Sequence, residues 1–122
     1  MKVYLAGKWQ EAATIKQYAD ELRSLGHTIT MPWFECHVAP AVEELRQSAI
    51  EDFNGVCDAD IAIFIFEKKL PYAGAYTELG IALASGCEVV IVGSGGNSNI
   101  FTSMPEVEKV DTWNQAKRYL VT

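Results

Sequence analysis

Apolar and polar residues along this chain of 122 residues form two alternating patterns. Short runs rich in β-branched residues predict strands, and longer stretches with apolar residues every three or four positions predict helices. The predicted strands are residues 2–6, 27–31, 60–67 and 88–93, with an edge strand around 107–111. The predicted helices are residues 10–25, 40–55, a small-residue helix that begins near Glu78 and ends at Gly86, and 112–120.

Strands that alternate with helices of this size predict an α/β fold, a three-layer sandwich around a parallel sheet of about five strands. The run DIAIFIFE at 60–67 is apolar at nearly every position, which indicates a central strand covered on both faces. We expect one Rossmann-like domain over residues 1–122 with a flavodoxin-like strand order. Ligands of such sheets bind beyond the carboxyl ends of the strands, so the loops from Gly7, Pro32, Glu67 and Gly93 are the candidate site.

Composition and charge narrow the possible functions. Hydrophobic residues make up 49% of the chain and the net charge is −6, as in a soluble globular protein with no basic face for nucleic acid. No run is long enough to span a membrane, and no signal-peptide layout precedes the first strand, so we expect a cytoplasmic protein. The odd cysteine count fits a reducing compartment, and Cys57 and Cys87 are interpreted as buried packing.

Several signatures are missing. The chain has no phosphate loop of the G-x-x-x-x-G-K-[ST] type and no G-x-G-x-x-G after the first strand, which disfavours nucleotide triphosphatases and dinucleotide dehydrogenases. Without metal-ligand spacing we expect no metal and no cofactor, and the adjacent Cys36 and His37 are interpreted as a plain loop. The GSGGN loop at 93–97 either admits a phosphate to its backbone N–H groups or is a simple connection.

The side chains with candidate chemistry follow the strands. Glu78 is expected in the first turn of its helix, where the helix dipole favours an ionised carboxylate, although Glu is also common there for structural reasons alone. Asp60 opens the third strand and Tyr4 lies on the first, each with an ordinary structural explanation. Trp33 and Phe34 either stack on a flat heterocycle or cover the sheet edge.

Three segments in order, VYLAG, DADIAIFIFE and YTELGIALASG, resemble the nucleoside 2-deoxyribosyltransferase family, which includes the 2'-deoxynucleoside 5'-monophosphate N-hydrolases. The likeness covers most of the chain. It implies a homodimer or higher homo-oligomer that acts in nucleotide salvage on a small nucleoside or nucleotide. The implied reaction is cleavage or transfer of the N-glycosidic bond of a 2'-deoxynucleoside or its 5'-monophosphate.

The resemblance also implies roles for individual residues. Glu78 matches the family's nucleophile, Tyr4 the tyrosine that orients it, and Asp60 the aspartate linked to base and sugar recognition. Gly7 matches the glycine that lets substrate approach the backbone. The segment from Asn97 to Met104, which includes Asn99 and Thr102, is similar to the one that family members lend to a neighbour's site.

The loop before Glu78 departs from the family pattern. Transferases tend to have an aspartate six residues before the glutamate and hydrolases a serine, whereas this chain has Tyr72. Gly74 is retained, but Tyr76 stands where a small residue is usual. Two alternatives stay open beside the leading hypothesis. One is NAD glycohydrolase chemistry of the TIR-domain type, which shares the fold class and a catalytic glutamate, and the other is a catalytically silent nucleotide-binding module, which Tyr72 and Tyr76 support.

Overall fold

The computed structural model describes residues 1–36, 40–69, 71–97 and 99–120, and its centre is a five-stranded parallel sheet. The strands lie in the order β2-β1-β3-β4-β5, which confirms the predicted flavodoxin-like arrangement. They are β1 (Lys2–Ala6), β2 (Thr28–Ile29), β3 (Ile61–Ile65), β4 (Glu88–Val92) and β5 (Val107–Val110). The α-helices are α1 (Ala12–Ser24), α2 (Leu45–Cys57), α3 (Ala73–Ser85) and α4 (Trp113–Ala116).

Strand β3 is the centre of the fold, as its continuous apolar run predicts, and all five of its residues are buried. Because side chains alternate across a strand, it contributes to two separate cores. Ile61, Ile63 and Ile65 pack on the face covered by α1 and α4, while Ala62 and Phe64 pack on the face covered by α2 and α3. The protein is thus a three-layer sandwich.

The predicted element boundaries differ from the observed ones mainly at the edges of the sheet. Strand β2 pairs with β1 over only two residues, Thr28 and Ile29, and the chain after Pro32 turns into a short 3-10 segment. Another 3-10 turn, Val42–Glu44, precedes α2. Proline has no backbone N–H and favours turns, so these breaks have a local cause.

Glycines fix the helix ends and one close contact between elements. Gly86 caps α3 in the left-handed region with φ 80°, and Gly26 follows α1 with φ 92°, as the sequence predicts. Gly55 does not end α2. A Cβ there would come within 2.6 Å of Met31 Cβ and 3.2 Å of the Tyr4 ring, so the missing side chain lets α2 pack directly on β1.

Two of the cysteines differ from the prediction of buried packing. Cys57 is exposed at the end of α2, and Cys87 is only half-buried before β4. Over the described part of the chain, no helix combines the length and apolar character that crossing a membrane requires.

Candidate active site

A cleft of about 1230 Å³ opens between the segment after β1, helix α2 and the first half of α3. Its lining includes Gly7, Lys8, Trp9, Trp33, Asp52, Tyr72, Gly74 and Glu78. The loops after β1, β2 and β3 all contribute to it, as expected for the carboxyl ends of parallel strands. The loop from Gly93 supplies none of the described lining residues.

The Tyr4 hydroxyl donates a hydrogen bond to Glu78 Oε2, which joins the first strand to helix α3 beside the cleft. Tyr4 is fully buried, and both burial and the charge of Glu78 raise the pKa of its phenol well above the ordinary value. The phenol is therefore a fixed, neutral donor. It occupies one carboxylate oxygen of Glu78 and leaves Oε1 to face other partners.

Glu78 lies in the second turn of α3, five residues after Ala73, so the prediction of a first-turn position is wrong. The stabilising effect of a helix dipole falls off within the first turn, and here burial dominates instead. Burial raises the pKa of the Glu78 carboxyl to about 7; the Tyr4 hydrogen bond opposes that shift and the charge of Asp52 adds to it. A carboxyl with this pKa is divided between both protonation states near neutral pH.

Asp52 on α2 is a second acid in the cleft that the sequence patterns did not reveal. It is half-buried, and burial together with the charge of Glu51 raises the pKa of its carboxyl to about 6. A signal was present: Glu44, Ser48 and Asp52 recur every four residues, which puts polar groups on one stripe of the helix. All three line the cleft.

Asp60 is not brought to the cleft. It precedes β3, at the amino edge of the sheet, where its Oδ2 accepts a hydrogen bond of 2.8 Å from the Lys2 backbone N–H. Since parallel strands all run the same way, this edge is opposite the one at which ligands bind. The structure corrects the catalytic placement of Asp60 and gives it the local capping role of an acid beside a strand start.

Two tryptophans form an aromatic side of the cleft, and Phe34 does not join them. The rings of Trp9 and Trp33 lie 6.2 Å apart, and Trp33 Nε1 donates to Leu5 O at 2.7 Å, which fixes the indole. Phe34 is 4% exposed and packs in the core beside α1. Stacking on a heterocycle is thus available to Trp33, whereas Phe34 covers the sheet.

The two tyrosines before Glu78 pack their rings on Phe66, and Tyr72 also lines the cleft. Tyr72 is 1% exposed, and its hydroxyl donates to Glu11 Oε1 at 2.9 Å. Tyr76 is not among the lining residues and packs its ring on Phe66. These bulky residues were the sequence support for a silent binding module, an alternative that a base-release assay tests. Beside them Gly74 lines the cleft, and a Cβ built on it meets nothing within 4 Å.

The described residues after β4, 93–97 and 99–120, lie outside the cleft of their own chain. Asn97 is exposed, Asn99 accepts from the Phe101 N–H at the start of a 3-10 turn, and the buried Thr102 hydroxyl donates to Asn99 O.

Gly95 of the preceding GSGGN loop allows close packing against the segment after β3. A Cβ on Gly95 would lie 1.9 Å from Lys68 O, and the Gly95 N–H donates to Phe66 O at 2.7 Å. The loop is thus pressed against the segment that follows β3.

Metal-ligand groups of three or more His, Cys, Asp or Glu side chains do not occur within residues 1–36, 40–69, 71–97 and 99–120. Cys36 lines the cleft and is exposed. The neighbouring His37 lies outside the described residues.

Comparison with known proteins gives similarity of fold. No protein-family model and no curated sequence matches the chain significantly. Among solved structures, a 2-deoxyribosyltransferase of Bacillus psychrosaccharolyticus is similar with a TM-score of 0.70 and 22% identity, covering 98% of this chain and 93% of its own. A conserved protein of Enterococcus faecalis has a TM-score of 0.71 and 16% identity, with 98% and 99% covered. The CMP N-glycosidase BcmB of Clostridium botulinum has a TM-score of 0.64 and 18% identity, with 98% and 95% covered.

Proposed function

We propose that this protein cleaves or exchanges the N-glycosidic bond of a 2'-deoxynucleoside or its 5'-monophosphate, with Glu78 as the nucleophile. The observation that carries the proposal is the Tyr4 hydroxyl bonded to the half-buried Glu78 carboxyl, beside a cleft that also contains Asp52. The similarity in fold to a 2-deoxyribosyltransferase and to a CMP N-glycosidase agrees with it.

The first step uses the ionised form of Glu78. Its free Oε1 attacks C1' of the sugar while the bond from C1' to the base nitrogen breaks and its electron pair leaves with the base. Tyr4 holds Oε2 and keeps the carboxylate oriented. Positive charge develops on the sugar during the attack, and a carboxylate at that point stabilises the charge before the covalent ester forms.

The departing base needs a proton, and Asp52 replaces Asp60 as the candidate donor. Its pKa of about 6 leaves a protonated fraction near neutral pH, which an ordinary aspartate lacks. Asp52 then takes a proton from the incoming water or base, which attacks C1' and releases Glu78. Water as acceptor gives hydrolysis, and a second base gives transfer.

The test is base release from a panel of deoxynucleosides and their 5'-monophosphates, with and without a second free base, separated by chromatography. We expect Glu78→Ala and Glu78→Gln to lose base release while the circular dichroism spectrum is unchanged. The control is Glu88→Gln, an exposed acid on β4 outside the cleft. Unchanged turnover in the Glu78 variants would refute the assignment.

We also propose that two copies of the chain assemble and that the segment from Asn97 to Met104 completes the partner's site. In support, the described residues of this segment, 97 and 99–104, lie outside their own cleft yet expose large apolar side chains, with Ile100 78% and Phe101 53% exposed. Helix α2, which forms a wall of the cleft, exposes Phe53 and Leu45 as well. Exposed apolar groups of this number are typical of a covered surface.

Mixing two inactive variants tests the shared site. Glu78→Gln and Asn97→Ala damage different chains of each composite site, so a mixed dimer has one intact site and one doubly damaged site. Random mixing is expected to restore up to roughly a quarter of the wild-type activity. A monomer in sedimentation, or a mixture no more active than its components, would contradict the proposal.

A further inference from the structure

The cleft is strongly acidic. Its described lining contains five carboxylates, Glu43, Glu44, Glu51, Asp52 and Glu78. Lys8 is the one lysine or arginine among those lining residues, and its Nζ donates to Pro71 O at 2.8 Å. An anionic ligand in this cleft would therefore meet far more negative than positive charge.

Two of the four acids on α2 and the turn before it are held by local hydrogen bonds. Glu44 Oε1 accepts from the Ala41 N–H at 3.2 Å, and Glu51 Oε1 accepts from Gln47 Nε2 at 3.0 Å. Ionised carboxylates only accept hydrogen bonds, so they offer nothing to a phosphate oxygen. They repel it instead, most strongly within about 8 Å at physiological ionic strength.

The start of α3 provides no side-chain compensation. Tyr72 stands just before the helix and lines the cleft, but its hydroxyl donates to the buried Glu11 carboxyl. Gly74 contributes no side chain at all. A phosphate placed near this turn would have the backbone N–H groups and Lys8 as partners, with Glu11 behind Tyr72 as a further acid.

From this charge distribution we propose that the cleft takes unphosphorylated nucleosides and rejects their 5'-monophosphates. The inference rests on the function proposed above and narrows its substrate class. A monophosphate adds about 1.5 to 2 negative charges at neutral pH, wherever in the cleft its phosphate lies. The sugar and base of a nucleoside are neutral and carry donors that carboxylates accept from.

Binding and turnover measured in parallel separate this inference from the proposed function. Calorimetry with the wild-type protein compares 2'-deoxycytidine, 2'-deoxyadenosine, 2'-deoxyguanosine and thymidine, each with its own 5'-monophosphate. We expect each nucleoside to bind at least about tenfold more tightly than its monophosphate, with the difference shrinking as salt is raised. The ratio of kcat/KM values is expected to follow the same order.

A pair of charge variants locates the cause. The double variant Glu43→Gln, Glu51→Gln removes two of the five negative charges that line the cleft. We expect it to increase the affinity for monophosphates several-fold more than the affinity for nucleosides. Glu88→Gln with Glu106→Gln removes the same charge at exposed positions outside the cleft, and the discrimination should stay unchanged.

Monophosphates that bind as tightly as nucleosides or more tightly would overturn the inference. A preference for nucleosides that changes neither with salt nor in the Glu43→Gln, Glu51→Gln variant would also overturn it. If nucleosides bind with the expected preference but no base is released, the preference for unphosphorylated ligands is supported and the proposed reaction is refuted. The two failures are thus distinguishable.

Discussion

Replacing Glu78 with glutamine should stabilise the protein in a pH-dependent way, because the fold holds this carboxyl in an environment that disfavours its charge. Burial raises its pKa from 4.5 to about 7. The folded protein therefore binds the proton more tightly than the unfolded chain does. Stability from this group is complete below about pH 4.5 and is lost as the pH rises toward 7.

The magnitude follows from the two pKa values. A carboxyl with a pKa of 4.5 unfolded and about 7 folded destabilises the protein by about 3 kcal/mol at pH 8. Glutamine carries no charge and its oxygen still accepts from the Tyr4 hydroxyl. Glu78 is only half-buried, so solvent screens part of this effect. We therefore expect Glu78→Gln to raise the free energy of unfolding by about 1–3 kcal/mol at pH 8 and to change it little at pH 4.5.

Urea unfolding at several pH values between 4.5 and 8 measures the difference between the two proteins. Glu88→Gln serves as the control, since its carboxyl is exposed and should give the same free energy of unfolding as wild type throughout. A Glu78→Gln difference that does not change with pH would show that Glu78 is solvated. The reasoning about its protonation would then be refuted.

Three further predictions concern the same site. Base release should follow a bell-shaped pH profile with its maximum between about 6 and 7, since Glu78 must be ionised and Asp52 protonated. Asp52→Asn should remove the fall in rate at high pH. A flat wild-type profile would contradict both roles. Tyr4→Phe should lower kcat by about 10–100-fold and move the high-pH limb upward, because the hydroxyl lowers the pKa of Glu78 and that pKa, the higher of the two, sets the high-pH limb; an unmoved limb would deny that contact. Gly55→Ala should cost about 1–3 kcal/mol in thermal unfolding, whereas Gly80→Ala, with open space around its Cβ, should not destabilise; equal effects would contradict the packing argument.

The fold was predictable because each element has a strong local signal. The continuous apolar run at 60–67 identifies a doubly covered strand, and Gly26 and Gly86 mark the ends of α1 and α3 in the conformation that glycine favours. Strand β2 was overestimated because residues 27–31 have the composition of a full strand, whereas β2 lies at the edge of the sheet and pairs with β1 over only two residues.

The site was only partly predictable because its chemistry depends on which residues meet across elements. Tyr4 and Glu78 were identified, but local pattern cannot show that α2 brings Asp52 to them. Asp60 was preferred because it matches the aspartate that the family resemblance links to base and sugar recognition, and only the parallel topology shows that it lies at the opposite edge of the sheet. Likewise Phe34 differs from Trp33 by a single position, which sends one side chain to the core and the other to the cleft.

Trapping the covalent intermediate tests the central claim most directly. The protein is incubated with a deoxynucleoside or a slowly turning 2'-fluorinated analogue, quenched in acid, and analysed by intact mass and peptide mapping. A carboxylate nucleophile predicts one added sugar residue on the peptide that contains Glu78, absent in Glu78→Gln. Base release by wild type with no adduct, or with the sugar on another side chain, would contradict the account.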